Sequence, residues 1–206
     1  RGAGNLLGAE QSGFIAEIGF ETYHRILDEA ILELKENEYA DMFPAGEGDE
    51  HKPEERNYVT DCQIDTDISL LFPDAYIQNN SERLRLYRVL DNIGTENGLQ
   101  RFEHELEDRF GPLPEVTGEL LNVVRLRWMA IRLGFEKIVL KKGLMIAHFV
   151  SNPDSSYYAT ATFNAVLAFV QSQGRRFRIK ETKGKLTLST NPVNSISEAI
   201  GILQKI

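Results

Sequence analysis

Two stretches of this chain carry side chains whose types and spacing could bind or couple to something. The first is the opening run Arg1-Gly2-Ala3-Gly4-Asn5-Leu6-Leu7-Gly8-Ala9-Glu10-Gln11-Ser12-Gly13. Glycine reaches backbone conformations that other residues adopt only with strain, so Gly2, Gly4 and Gly8 predict a shaped loop. Within it Arg1 offers a rigid fork of donors, and Gln11 offers both a donor and an acceptor. Composition alone supports a plainer reading, a glycine-rich leader ahead of a helix. The second stretch is Glu103-His-Glu-Leu-Glu-Asp-Arg-Phe-Gly-Pro-Leu-Pro114. On a helix that turns Leu99, Phe102, Leu106 and Phe110 inward, Glu105, Asp108 and Arg109 face away from the core. Arg101, Glu105 and Arg109 stand four apart, so internal pairing worth roughly 0.2–0.5 kcal/mol is the plain account of their charges.

Other chemistries lack their residues. Phosphate-cradling loops need a Gly-x-x-x-x-Gly-Lys-Ser/Thr run after a strand, and Gly2, Gly4 and Gly8 have no such continuation. No Gly-x-Ser-x-Gly elbow occurs. Asp65 with Asp67, and Glu105 with Asp108, are paired carboxylates of the kind that usually serve as solvated charge. Cys62 is the one cysteine, which excludes an internal disulfide and a cysteine-based zinc site. His24, His51, His104 and His148 are scattered without ligand spacing. No catalytic residue, metal ligand or cofactor is therefore expected in this stretch. The formal charge of −8 opposes a nucleic-acid grip, and the basic cluster Arg175-Arg176-Phe177-Arg178 reads as a solvated strand face. No apolar run reaches the roughly 18–20 residues of a membrane span, no secretory leader is visible at the start, and a reducing cytoplasm is expected.

The elements that must position these groups fall into three parts. Residues 14–36 read as a helix with Phe20, Tyr23, Leu27, Ile31 and Leu34 on one stripe, so 1–36 forms a loop and helical arm. Residues 37–57 carry seven acids against Lys52 and Arg56, with Pro44, Pro53, Gly46 and Gly48, and read as an acidic linker. From Tyr58 the pattern is that of a domain running to Ile206. One or two strands are expected before Pro73, then a helix capped by Ser81, a second capped by Thr95 and stopped by Gly111, and a third ending at Gly134 that carries Trp128 on its buried face. Lys141-Lys142-Gly143 and Thr182-Lys183-Gly184 predict two hairpins. Each is followed by a helix, 157–173 and 195–206, which hints at a repeated hairpin-plus-helix unit. The expected fold is α/β or α+β, a helical layer on a mainly antiparallel sheet preceded by the helical arm.

The opening string Arg-Gly-x-Gly-x-x-Leu-Gly-x-x-Gln-Ser-Gly resembles the translocation motif of the double-stranded DNA translocases RecG and transcription-repair coupling factor. The string Glu-Leu-x-Asp-Arg-Phe-Gly-Pro-Leu-Pro, with Asp74-Ala-Tyr-Ile77 and Arg83-Leu-Arg-Leu-Tyr-Arg88 upstream, resembles the C-terminal domain of the coupling factors. That resemblance covers the loop, the first helix and most of residues 61–140, and beyond about Val150 it is one of arrangement. It implies a fragment of a larger ATP- and magnesium-dependent translocase, which displaces stalled RNA polymerase from duplex DNA and recruits UvrA for excision repair. It further implies that Arg1, Gly2, Gly4, Gly8 and Gln11 belong to the translocation motif. Glu105, Asp108 and Arg109 then lie at a clamp against the N-terminal UvrB-like module of the same protein. Glu107 departs from the pattern, since an apolar residue is common there. The alternatives are the tail of a RecG-like fork-repair helicase, which would lack the string ending at Pro114, a nucleic-acid-binding module, and an enzyme acting alone.

Overall fold

The strand signal after Tyr58 yields a single short strand, β1 (Gln63–Thr66). Three helices follow it: α1 (Asn80–Asp91), α2 (Glu96–Phe110) and α3 (Glu115–Arg132). The chain then forms β2 (Phe135–Lys141), β3 (Leu144–Phe149), α4 (Ala161–Ser172), β4 (Phe177–Thr182), β5 (Lys185–Thr190) and α5 (Ile196–Leu203). These elements come from a computed structural model, which describes residues 58–182 and 184–206. The loop at 1–13, the arm to residue 36 and the acidic stretch 37–57 lie outside the described residues.

Local chemistry explains most boundaries. Thr95 caps α2 by accepting from the Gly98 amide at 3.2 Å, and Gly111, at φ 88°, ends it. The cap of α1 differs from expectation. Asn79 accepts from the Glu82 amide at 3.1 Å, so the helix begins ahead of Ser81; Asn is at least as good an N-cap as Ser. Lys142 and Gly143, at φ 53° and 71°, make the two-residue turn between β2 and β3. The helix expected over 157–173 is divided. A single 3₁₀ turn at Ser156–Ala159 comes first, and Thr160 then caps α4 through the Phe163 amide.

The sheet order is β1-β2-β3-β5-β4, with β1 parallel to β2 and every other pair antiparallel. A mainly antiparallel sheet under a helical layer is what the residue pattern predicts. The two hairpins lie side by side in the sheet, paired through β3 and β5. One face of the sheet is buried, with Ile138, Leu140, Met145, Ala147, Phe149 and Leu188 at 1% exposure or less. Helix α3 packs there on β2 and α5 packs on α3, and Phe163 and Phe169 of α4 meet Phe149 and Phe177 at 5.6 and 5.1 Å between ring centres. Trp128 is half-buried at the margin of this core rather than within it.

Candidate interaction surface on the second helix

The sequence strings around α2 meet in space as one scaffold. The Tyr76 hydroxyl lies 2.9 Å from the Gly111 carbonyl and 3.2 Å from that of Leu106, so the Asp74-to-Ile77 turn is fastened to the end of α2. Arg83, 4% exposed, reaches back from α1 to the Ile77 carbonyl at 2.7 Å and to Asp74 at 2.6 Å. Tyr87 on the same helix accepts the Phe72 amide at 3.0 Å. A buried arginine is tolerable only when its donors are satisfied, and these contacts satisfy it. The arginine- and tyrosine-rich string of α1 therefore holds the segment from Phe72 to Ile77, whose Tyr76 in turn reaches the end of α2.

Leu99, Phe102 and Leu106 are buried as the helical spacing requires, and Phe110 packs at the core margin. The outer face of α2 is acidic, with five carboxylates against Arg101 and Arg109. Most of this charge is engaged. Glu96 and Glu103 face Arg125 of α3 at 2.8 and 3.7 Å. Arg109 bridges Glu105 at 3.2 Å and Glu82 of α1 at 2.5 Å, and Arg85 donates to both oxygens of Glu82 at 2.9 and 3.0 Å. Hydrogen bonds from Arg85 and Arg109 push the Glu82 carboxyl down to about 2. Arg101 donates to the Asn97 carbonyl, so of the two four-residue spacings only Glu105 with Arg109 forms a pair. Asp108 is exposed and faces no cation among the described residues.

Glu105, Asp108 and Arg109 thus share one surface, but in different states. Glu105 is half-exposed and held, Arg109 is spent on two carboxylates, and Asp108 is free. Glu82 and Arg85 belong to the same surface and were missed by reading α2 alone. Their three-residue spacing on α1 was the available signal. Arg1, Gly2, Gly4, Gly8 and Gln11 lie outside the described residues. No group of three His, Cys, Asp or Glu side chains able to hold a metal occurs among the described residues. Of the α2 carboxylates, Glu96, Glu103 and Glu105 face arginines, and Glu107 lies 3.9 Å from His104. No described helix is long and apolar enough to cross a membrane.

Residues 66–160 match the TRCF domain, a span containing all three strings and the whole of α2. The transcription-repair-coupling factor of Rickettsia typhi is 31% identical over 180 residues, 87% of this chain and 14% of that protein. That of Escherichia coli K12 is 37% identical over 140 residues, 67% of this chain and 11% of that protein. The chain is a member of the transcription-repair coupling factor family. It spans only about one-seventh of the curated relatives it matches. A crystal structure of the C-terminal domain of a transcription-repair coupling factor matches 69% of this chain and 89% of its own with a TM-score of 0.58. At 19% identity that likeness concerns the fold, a helical layer on a mixed sheet.

Proposed function

We propose that residues 58–206 form a C-terminal regulatory clamp of a transcription-repair coupling factor. In this reading the outer face of α2 docks on the N-terminal UvrB-like module of the same protein and covers its UvrA-binding face. Engagement of RNA polymerase and duplex DNA shifts the population to an open state. ATP and magnesium act in the motor of the parent protein, and Arg1, Gly2, Gly4, Gly8 and Gln11 couple their turnover to movement. The clamp itself carries out no reaction.

The single observation that supports this reading is the state of Asp108, an exposed carboxylate with no cation facing it among the described residues, on the acidic outer face of α2. An intramolecular clamp needs charge that its own domain leaves free. Titration of the chain with the separately expressed N-terminal module, at two salt concentrations, is the direct test. Binding is expected to weaken with salt, because exposed charge pairs are screened. Asp108→Ala is expected to weaken it more than Glu105→Ala, whose carboxylate is already shared with Arg109. Equal affinities for Asp108→Ala and the unmodified chain would remove α2 from the interface.

A further inference from the structure

The face of the sheet turned away from the helices has a composition of its own. Strand register sets Lys137, His148, Thr187 and Lys180 in one row across β2, β3, β5 and β4. Val139, Ile146, Ser189 and Arg178 form the next row. Val139 and Ile146 are half-buried and stand outside the apolar core. Leu144, 39% exposed, extends the apolar strip toward the turn. No described helix lies over these rows.

The charge around the strip is lopsided. Arg178, Lys180 and Lys185, all exposed on β4 and β5, pair with no carboxylate among the described residues. The acids at the opposite side are occupied. Asp65 holds Lys141 at 2.5 Å and stands 4.0 Å from Lys137, and Glu136 accepts the Ser151 amide at 2.9 Å and its hydroxyl. A cavity of about 250 Å³ opens at the end of the strip beside Gln63, Lys137, His148 and Lys185. Burial, then Lys137 and Lys185, push the His148 imidazole below its ordinary range, against an opposing pull from Glu136.

We propose that this open sheet face docks an acidic, amphipathic segment of a partner protein, with apolar side chains on Val139 and Ile146 and carboxylates on Arg178, Lys180 and Lys185. An apolar centre flanked by charge is the anatomy of a protein interface. A nucleic acid suits the face less well. Among the described residues its two rows contain no Phe, Tyr or Trp ring on which a base could stack. The Thr187 and Ser189 hydroxyls are spent on the Lys180 and Arg178 carbonyls and are not free to contact phosphates. The proposal stands apart from the clamp reading, because it uses the sheet and not α2.

The test is amide-shift mapping on the 206-residue chain with a short Glu- and Leu-rich amphipathic peptide, and separately with a short DNA duplex. Saturable shifts are expected on β2, β3, β4 and β5 with the peptide, weakening as salt rises. Arg178→Glu with Lys180→Glu is expected to weaken binding about tenfold or more, equivalent to about 1.4 kcal/mol. Lys185→Ala, tested separately, is expected to weaken it to a lesser degree. Ile146→Thr should weaken it at unchanged charge, whereas Asp108→Ala should leave it unchanged. Thermal midpoints confirm that each variant remains folded. Absence of saturable binding, shifts that map to α2, full affinity in the charge-reversed variant, or tighter saturation of the same face by the duplex would each overturn the proposal.

Discussion

Arg109 is the residue around which the α1–α2 surface is organised. It joins two carboxylates from two helices, and its guanidinium also lies 4.8 Å from the centre of the Phe110 ring. Glu82, gripped by Arg109 and Arg85, has its carboxyl pushed from 4.5 down to about 2. A carboxyl lowered on folding adds stability above its unfolded pKa, and that stability is lost as pH falls through the folded value. The contribution of Glu82 is therefore present at neutral pH and disappears between about pH 4.5 and pH 2. Thermal melts of Glu82→Gln and the unmodified protein are expected to differ at pH 7 and to converge toward pH 2. Because the pairs are surface pairs, the pH 7 difference should stay within roughly 0–1 kcal/mol. A constant gap across the range would mean that Glu82 acts by packing and not by charge.

The junction between α3 and β2 shows how far an element can be read from its residues. Gly134 was legible as a helix stop, and it does sit at φ 78°. Its stricter role was not legible, because it depends on a residue 23 positions away. A Cβ on Gly134 would fall 2.1 Å from the Tyr157 ring, whose hydroxyl donates to the Leu133 carbonyl at 2.6 Å. Gly134→Ala is expected to cost on the order of 2–5 kcal/mol in denaturant unfolding, combining left-handed backbone strain with overpacking. Gly118, inside α3 with nothing within 4 Å of its would-be Cβ, is the control; Gly118→Ala should stabilise by about 0.5–1 kcal/mol. The same contrast between local and long-range signals runs through the molecule. Helices α2 and α3, both hairpin turns and the cap at Thr95 were legible because spacing and turn chemistry are local. The parallel pairing of β1 with β2 was not, since three helices intervene and periodicity cannot show which edge a strand joins. On the candidate surface, the outward direction of Glu105 and Asp108 followed from the inward stripe. Only the placement of α1 shows that Arg109 is shared with Glu82.

At the scale of the whole molecule, one apolar cluster runs from Val59 through the helical layer to Leu203. Helix α5 is the piece that closes it. The Glu119 carboxylate of α3 accepts the Ile196 amide at 2.9 Å and the Ser197 hydroxyl at 3.1 Å, so the last helix is fixed end-on to the third. Ile196 and Leu203 are 0% and 3% exposed. If the core is continuous, a cavity at one end must be felt at the other. Leu203→Ala should cost about 2–5 kcal/mol, the usual range for a buried leucine. Two reporters on other elements are available to follow it. Trp128 is the single tryptophan of the chain, on α3. Cys62, the single cysteine, is 2% exposed, and its thiol is pushed up to about 12 by burial first and by Asp61 second. A thiol so raised and covered reacts with alkylating reagents only when the structure opens. Tryptophan fluorescence and Cys62 alkylation in increasing urea are therefore expected to report one midpoint, shifted equally by Leu203→Ala. If alkylation kept its midpoint while fluorescence moved, the segment around Cys62 would be a separate folding unit from the layer that α5 closes.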